Sequence, residues 1–387
     1  MTASKSWRNR QTKITYISFG TFGWYLYALG PSMDFLRTEQ GTTAFIMSLH
    51  MAAVALGSIF GGVLTSYLSA RIGRGQTLQL SGFAMAASLL LIVLGSSPAV
   101  TLAGALAMGV VSTSTVALTN SYLTFAHGAG APKAIAEANL AAAVAGLVSP
   151  LVVGVAVGIG WGWRVGLIAA AASFAITELF RGDLNKYNEP AKEIAQKVKV
   201  KLSRRYWWMW ALLFTTAGAE FSVALWNTTL LRERGGLGDA AAAAGLATFT
   251  GGMAVGRLLL ARFADRFDPE KILVFSFVLP LISFWGIWAL PVASVMLISL
   301  VLFGIGVGMH WPLGIARVVR AGGKHPDVAS SRTAYATGAA GMVLPVVLGS
   351  LSDSFGVHTA FLIVPAVLAV GLALILLTPK AESEVAS

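Results

Sequence analysis

Two long stretches of this chain, 77–123 and 274–316, contain no charged residue. A run of 18 or more apolar residues is long enough to cross the hydrocarbon core of a bilayer. Lipid offers the backbone no hydrogen-bond partners, so such segments must form helices or a closed barrel. The apolar segments here are far longer than the alternating strands of about ten residues that build barrels. The sequence therefore predicts an all-α membrane protein.

The overall composition agrees with this prediction. Hydrophobic residues make up 56% of the 387 residues and charged residues only 12%, whereas a soluble surface needs roughly a quarter or more of its residues charged. The chain has no cysteine, which excludes disulfides and thiolate metal sites. Four basic residues precede a full-length apolar segment near the N-terminus, so we expect an uncleaved anchor helix and not a signal peptide.

A basic linker divides the predicted spans into two groups of six. It covers 181–205 and separates an N-terminal six-helix bundle, 1–180, from a C-terminal one, 206–387. The twelve predicted spans are 14–36, 43–69, 76–95, 98–126, 132–160, 163–180, 206–231, 239–263, 270–289, 292–319, 326–356 and 358–378.

The positions of the basic residues predict the orientation. With the N-terminus inside, the inner loops carry most of the lysine and arginine, which is the bias that sets topology. We therefore expect a multi-pass protein of the bacterial plasma (inner) membrane with both termini in the cytoplasm. The net charge of +11 then reflects topology, and its partners are membrane lipids and not nucleic acid.

The two groups of six are related by a constant offset of 195 residues. One offset that holds across several distant helices indicates that the two halves share one plan, as in transporters whose repeats rock around a central site. The matching pairs are Pro150 and Pro345, Gly154 and Gly349, Gly146 and Gly341, Gly109 and Gly304, Gly23 and Gly218, and Arg71 and Arg266.

The loops after the second and eighth spans read SYLSARIGRG and ARFADRFDP. Both resemble the major facilitator loop motif, G-x-L-a-D-R-x-G-R-R. The first copy keeps Arg71 but has Ala70 in place of the aspartate, and the second keeps Asp265 and Arg266. The resemblance implies the major facilitator fold, with twelve transmembrane helices in two pseudo-twofold-related six-helix bundles. It also implies a gating role for Arg71, Asp265 and Arg266, because this motif clamps inner helix ends in that family.

The seventh span contains GAEFSVALW, and the eighth contains TFTGGMAVGRLLLARFAD. These segments are similar to the fucose permease-like branch, which holds sugar–proton symporters and sodium–glucose relatives. Gly30 and Val116 stand where the sugar permeases of that branch carry an aspartate and a glutamate. The resemblance implies transport of a small polar solute such as a sugar, with proton coupling.

Charged groups at membrane depth are costly and are functional by default. Glu220 lies near the middle of the seventh span, and His310 lies in the tenth span beside Trp311 and Pro312. We predict that Glu220 and His310 bind substrate and couple transport to protons. For each, the alternative is a structural hydrogen bond to a neighbouring helix.

Glu137 and Arg332 are also 195 positions apart, near the starts of the fifth and eleventh spans. We predict that they form an ion pair that helps to close the inner gate. The alternative is separate helix capping and snorkelling towards lipid headgroups. For Asp34, Arg37 and Glu39, at the outer end of the first span, we expect a solvated loop.

The remaining substrate-binding candidates are aromatic or amide side chains on helices that line the cavity by analogy, and ordinary membrane packing is the alternative for each. The full predicted set is Tyr25, Tyr27, Asn120, Asn139, Glu220, Trp226, His310, Trp311 and Tyr335.

The sequence contains no phosphate-binding loop followed by lysine, no metal-ligand cluster and no nucleophile–base pair at a recognisable spacing. We therefore expect a secondary transporter that needs no cofactor or metal, is not an enzyme, works by alternating access and functions as a monomer. The alternative on the same fold is a proton-driven exporter of drugs or metabolites.

Overall fold

Each predicted span corresponds to one helix in the computed structural model, which describes residues 8–188, 202–264, 266–323, 329 and 332–378. This described part contains twelve helices of 15 residues or more. They are α1 (Arg10–Gln40), α2 (Ala44–Ile72), α3 (Arg74–Leu94), α4 (Pro98–His127), α5 (Ala131–Gly158), α6 (Arg164–Leu179), α7 (Arg204–Glu233), α8 (Asp239–Phe263), α9 (Pro269–Trp288), α10 (Ala293–Ala321), α11 (Thr333–Ala360) and α12 (Ile363–Leu377).

Local side-chain chemistry sets several helix ends. Asn9, Thr43 and Asp268 each accept a hydrogen bond from a backbone N–H two or three residues further on, which satisfies a donor that the helix itself cannot. Gly41 ends α1 with φ 60°, and Gly356 interrupts α11 with φ 79°. Both conformations favour glycine. The break at Gly356 falls on the last residue of the eleventh predicted span.

By length and hydropathy, eight helical stretches in the described ranges can cross a membrane. One of them is the stretch 98–158, which contains both α4 and α5. The apolar helix α12 is shorter, with 15 residues. Long apolar helices of this kind satisfy every interior backbone hydrogen bond without water.

The described residues fall into two compact units. Unit 1 draws on 1–195 and 224–247, and unit 2 on 196–223 and 248–387. In unit 1, α1 packs against α5 and α6, α2 packs against α4, and α3 packs against α4 and α6. In unit 2, α9 packs against α10 and α12.

Glycines bring α2 and α4 into backbone contact in unit 1. A Cβ atom on Gly109 would lie 2.0 Å from the carbonyl oxygen of Val54, and one on Gly57 would lie 2.1 Å from that of Leu106. Only glycine fits at such distances. Because lipid tails are as apolar as leucine, helices in a membrane associate through this close packing.

The same contacts recur in unit 2 between α8 and α10. A Cβ atom on Gly304 would lie 2.2 Å from the carbonyl oxygen of Phe249, and one on Gly252 would lie 2.2 Å from that of Val301. Each of these four residues lies 195 positions after its counterpart in unit 1. Residues that are 195 positions apart in the sequence therefore make equivalent helix–helix contacts in the two units.

The substitution Gly109→Ala should lower the free energy of unfolding by about 1–3 kcal/mol, because the added methyl group forces α2 and α4 apart. Gly304→Ala should have a similar effect in unit 2. Gly62→Ala is the matched control, since a Cβ there has no atom within 4 Å. Thermal unfolding in detergent measures all three. Equal melting temperatures for Gly109→Ala and Gly62→Ala would contradict this account of the packing.

Candidate functional site

Helices α1 and α7 meet at backbone distance within unit 1. A Cβ atom on Gly30 would lie 2.1 Å from the carbonyl oxygen of Ala224 and 3.5 Å from the Cα atom of Leu225. A side chain of any size at position 30 would separate the two helices. This close approach gives a physical reason for glycine at a position where the sugar permeases of the similar branch carry an aspartate.

One turn further along α1, Asp34 is completely buried. Its Oδ1 accepts a hydrogen bond of 2.8 Å from the Thr229 hydroxyl, and its Oδ2 lies 3.0 Å from Nη2 of Arg232. Arg37 on the same helix approaches Oδ1 at 3.4 Å. We call these four residues the Asp34 cluster. Two of them lie on α1 and two on α7, so the cluster joins the ends of these helices.

The Asp34 cluster consists of residues that are equivalent under the repeat. Thr229 lies 195 positions after Asp34, and Arg232 lies 195 positions after Arg37. In a twofold-symmetric contact each helix presents the same face to the other. Helices α1 and α7 obey this rule with one asymmetry, because a carboxylate stands at one position and a hydroxyl at its equivalent. The cluster therefore lies where the two sequence repeats meet.

The expectation of a solvated loop at this end of α1 is wrong for Asp34. Helix α7 covers the carboxylate and replaces water with Thr229 and Arg232. The expectation fits Glu39 better, since its side chain is 48% exposed even though it pairs with Arg164 at 2.6 Å. An aspartate inside a predicted membrane span is unusual, so the sequence could have marked Asp34 as buried. Its partners could not be identified in this way, because they lie far away in the sequence.

At the opposite end of α1, Glu137 accepts two hydrogen bonds from Arg8, at 2.9 and 3.0 Å, and a third from the Tyr16 hydroxyl at 2.9 Å. In unit 2, the indole N–H of Trp210 donates to the backbone carbonyl of Arg332 at 3.1 Å. Glu137 thus belongs to a polar group that ties the start of α1 to the first turns of α5. The ion pair between Glu137 and Arg332 stays a prediction.

A buried ion pair at this same end of unit 1 was not predicted. Glu178 and Arg181 form a two-pronged contact and are both almost fully buried. Arg181 also donates to the Ser18 hydroxyl at 2.9 Å, and Gln79 donates to the backbone carbonyl of Glu178 at 3.0 Å. Burial raises the pKa of the Tyr187 phenol, which lies beside Arg181. The pair fastens α1, α3 and α6 together.

The aromatic candidates in unit 1 are buried to different extents. Tyr25 is 2% exposed and packs against Phe22 and Phe174, and Trp226 is fully buried. Tyr27 is half-buried and lies over Gly146 of α5.

The two amide candidates in unit 1 also differ. Asn120 is half-buried, and its Oδ1 has no hydrogen-bond partner in the described part of the chain. Asn139 is exposed and donates to the carbonyl of Ile135, one turn back, at 2.8 Å.

Four candidates lie in unit 2. Glu220 is half-buried in the middle of α7, and Trp311 and Tyr335 are 40% and 60% exposed. His310 is 1% exposed, stacks on Phe277 and bonds through Nε2 to the carbonyl of Ser276 on α9 at 2.9 Å. This position favours the structural alternative for His310, a neutral imidazole bonded between helices.

A cavity of about 400 Å³ lies between α1, α5 and α6 in unit 1. Its walls are mainly alanine and other apolar side chains, together with Trp24. The polar groups in the walls already have partners: the Thr21 and Ser173 hydroxyls bond to each other at 2.7 Å, and Trp24 donates to the Gly166 carbonyl at 2.8 Å. The cavity therefore suits an apolar occupant and not a polar solute.

The residues of the loop motif are exposed where the structure describes them. The guanidinium of Arg71 lies 5.1 Å from the ring centre of Tyr67, and that of Arg266 lies 5.8 Å from that of Phe263. Asp265 lies outside the described residues. No group of three or more possible metal ligands occurs among the residues that were described.

The described part of the chain holds twelve long helices, and the α2–α4 contact of the first repeat recurs as the α8–α10 contact of the second, which is the construction of an integral multi-pass membrane protein. The family model described as "Major Facilitator Superfamily" matches residues 15–332 and 236–387. The chain belongs to the Major Facilitator Superfamily. This match confirms the predicted fold class and the prediction that the chain belongs to a family of transporters and not of enzymes.

Individual relatives are more distant. A glucose/galactose transporter of Brucella abortus, found in two strains, is 27% identical over 152 residues, which is 39% of this chain and 36% of the relative. A variant of the nucleoside transporter NupG has a TM-score of 0.79 at 15% identity, covering 96% of this chain and 99% of that one. A D-xylose-proton symporter has a TM-score of 0.72 at 14% identity, covering 95% and 97%. These two structures establish the fold.

Proposed function

We propose that this protein is a secondary active transporter that moves a small polar solute, most simply a sugar, by alternating access with proton coupling. The glucose/galactose transporter and the D-xylose-proton symporter support the substrate class and the coupling ion by analogy. The observation that carries the alternating-access mechanism is the Asp34 cluster, which joins the equivalent faces of α1 and α7. A solute can enter between these helices only when that cluster opens.

The predicted division at 181–205 would give each half its own six helices, and the bias of basic residues supports an orientation with both termini in the cytoplasm of a bacterial cell. In this orientation the Asp34 cluster is an outer gate. Glu137 and Arg332, together with Arg71, Asp265 and Arg266, act at the inner gate. Membrane lipids surround the protein, and their acyl chains fill the apolar cavity between α1, α5 and α6. The monomer is the functional unit.

A second candidate function is proton-driven export of drugs or metabolites. The apolar cavity of about 400 Å³ favours this export function, since a hydrophobic solute could bind there. The polar side chains buried within α7 favour the sugar-like solute. Uptake assays with both classes of compound distinguish the two.

Glu220→Gln should abolish accumulation of solute driven by a pH gradient, because the amide cannot bind and release a proton. Exchange of internal for external solute needs no net proton movement, so it should continue. Glu39→Gln, which changes a carboxylate at the end of α1, is the control and should retain accumulation. Uptake into proteoliposomes measures both. Unchanged pH-driven accumulation in Glu220→Gln would exclude this residue from coupling.

Asp34→Asn should expose the contact between α1 and α7, because Arg232 loses its buried counter-charge. The pair is only partly buried, since the Arg232 side chain is 24% exposed and keeps Asp239 at 3.4 Å, so breaking it costs less than breaking a fully buried pair, which costs about 3–5 kcal/mol. Leu225 is 1% exposed in this contact, and the chain has no cysteine of its own. In a Leu225→Cys background, Asp34→Asn should therefore speed labelling by a membrane-impermeant maleimide at least tenfold. Glu39→Gln serves as the matched control, and equal labelling rates in the two variants would refute the gate.

A further inference from the structure

One turn of α7 carries three consecutive buried residues whose polar atoms lack hydrogen-bond partners in the described part of the chain. Trp226, Asn227 and Thr228 are each no more than 1% exposed. The unpaired atoms are the indole Nε1, both Oδ1 and Nδ2 of the amide, and the threonine Oγ1. Two other buried hydroxyls of α7, those of Thr215 and Thr216, are satisfied by their own helix, since they donate to carbonyls three residues back.

Leaving these groups unpaired is costly. A buried donor or acceptor without a partner costs about 1–3 kcal/mol, and lipid offers no replacement. Leucine has the branched shape of asparagine without its polar atoms and would avoid the cost at position 227. The chain nevertheless presents a complete amide there, which implies that this amide is paired at some stage of the transport cycle.

The geometry of α7 places Asn227 away from the gate. Successive side chains lie about 100° apart around a helix, so Trp226 and Thr228 flank Asn227. Leu225, Thr229 and Arg232 form the face that meets α1. Asn227 therefore lies on the side of α7 that is turned away from α1, where the Asp34 cluster does not occupy it.

The chemistry of the unpaired atoms selects a class of ligand. An amide offers a donor and an acceptor side by side, and a hydroxyl can both donate and accept. An anion would use only the donors of this set, and a cation only the acceptors. Two adjacent hydroxyl groups on a neutral molecule use both. The indole N–H of Trp226 adds a donor beside an apolar ring, which suits the mixed surface of a sugar ring.

We infer that Asn227, flanked by Trp226 and Thr228, is a binding residue for a neutral solute that carries adjacent hydroxyl groups. This inference rests on the proposed transport function and narrows its substrate class. Free sugars and the ribose of nucleosides share this chemistry, and the choice of probes separates them.

The test is thermal unfolding of the purified full-length chain with D-glucose, D-galactose, D-xylose and uridine, with 2′,3′-dideoxyuridine as the probe that lacks the diol. A ligand that binds the folded state raises the melting temperature with concentration. We expect a shift in the wild type with at least one sugar or with uridine, and none with the dideoxy compound. A rise in melting temperature with a sugar identifies a free sugar as the source of the hydroxyls, and a rise with uridine identifies the ribose of a nucleoside.

Asn227→Leu removes the unpaired amide but adds volume at a buried position, so its melting temperature without ligand is measured first and each ligand shift is taken relative to that baseline. This variant should require at least tenfold more ligand for the same shift. Asn227→Gln keeps the amide donor and acceptor but moves them by one methylene group, so it should also bind the ligand more weakly. Thr216→Val removes a buried hydroxyl of α7 that already has a partner, so it is the matched control and should bind as the wild type does.

If the ligand raises the melting temperatures of Asn227→Leu and Asn227→Gln as much as that of the wild type, Asn227 does not bind the solute, and the proposed transport function stays intact. The absence of any wild-type shift or uptake with all four hydroxylated probes would overturn the substrate class itself, and the inference with it. An equal shift with uridine and its dideoxy analogue would overturn recognition of the diol.

Discussion

The arrangement of α1 and α7 depends on the contact between the buried carboxylate of Asp34 and two residues of α7, Thr229 and Arg232. A charge that is withdrawn from water is tolerated only when it is paired and hydrogen-bonded. Thr229 and Arg232 provide this pairing from α7, and the glycine at position 30 allows the backbones to come close enough for it. Losing the contact would leave charged groups unpaired unless water reached them. The structure shows this contact closed, and an open arrangement would need water to replace Thr229 and Arg232 around the carboxylate.

The repeat explains why this contact occurs where it does. Two halves with one plan place equivalent faces of α1 and α7 opposite each other, as in a twofold-symmetric dimer. The same plan sets the glycine contacts of α2 with α4 and of α8 with α10, residue for residue. Close backbone packing keeps each pair rigid, whereas the Asp34 cluster relies on charge and can be hydrated. Rigid packing within each pair favours movement of the paired helices together over deformation within them.

The fold could be predicted from the sequence because its signals are local or periodic. Apolar runs located each helix, and the offset of 195 anticipated the matching contacts of Gly109 and Gly304. Side-chain environments were harder to predict, since they depend on helices far away in sequence. Asp34 was expected in water and is covered by α7. His310 was expected to bind substrate, and it packs between α10 and α9 at 1% exposure. Hydrophobic periodicity cannot identify which neighbour faces a polar residue when nearly every face is apolar.

The buried polar atoms of α7 divide into two groups with different consequences. Thr229 is paired with Asp34 and contributes to closure, whereas the polar atoms of Trp226, Asn227 and Thr228 have no partner in the described part of the chain and raise the energy of the same state. A solute or water that satisfies the second group would lower that energy. One helix thus carries both a contact that stabilises closure and groups that are suited to a ligand, only two residues apart.

The most direct test of this account is the distance between the ends of α1 and α7 during transport. Spin labels can be attached at Thr43→Cys and Gly238→Cys, two exposed positions in the short segments that follow α1 and α7, in a chain that has no other cysteine. Pulsed electron resonance in lipid nanodiscs then reports the distribution of distances. The account predicts a short population and a longer one, with a ratio that changes when a transported solute is added. A single distribution that solute does not alter would contradict it.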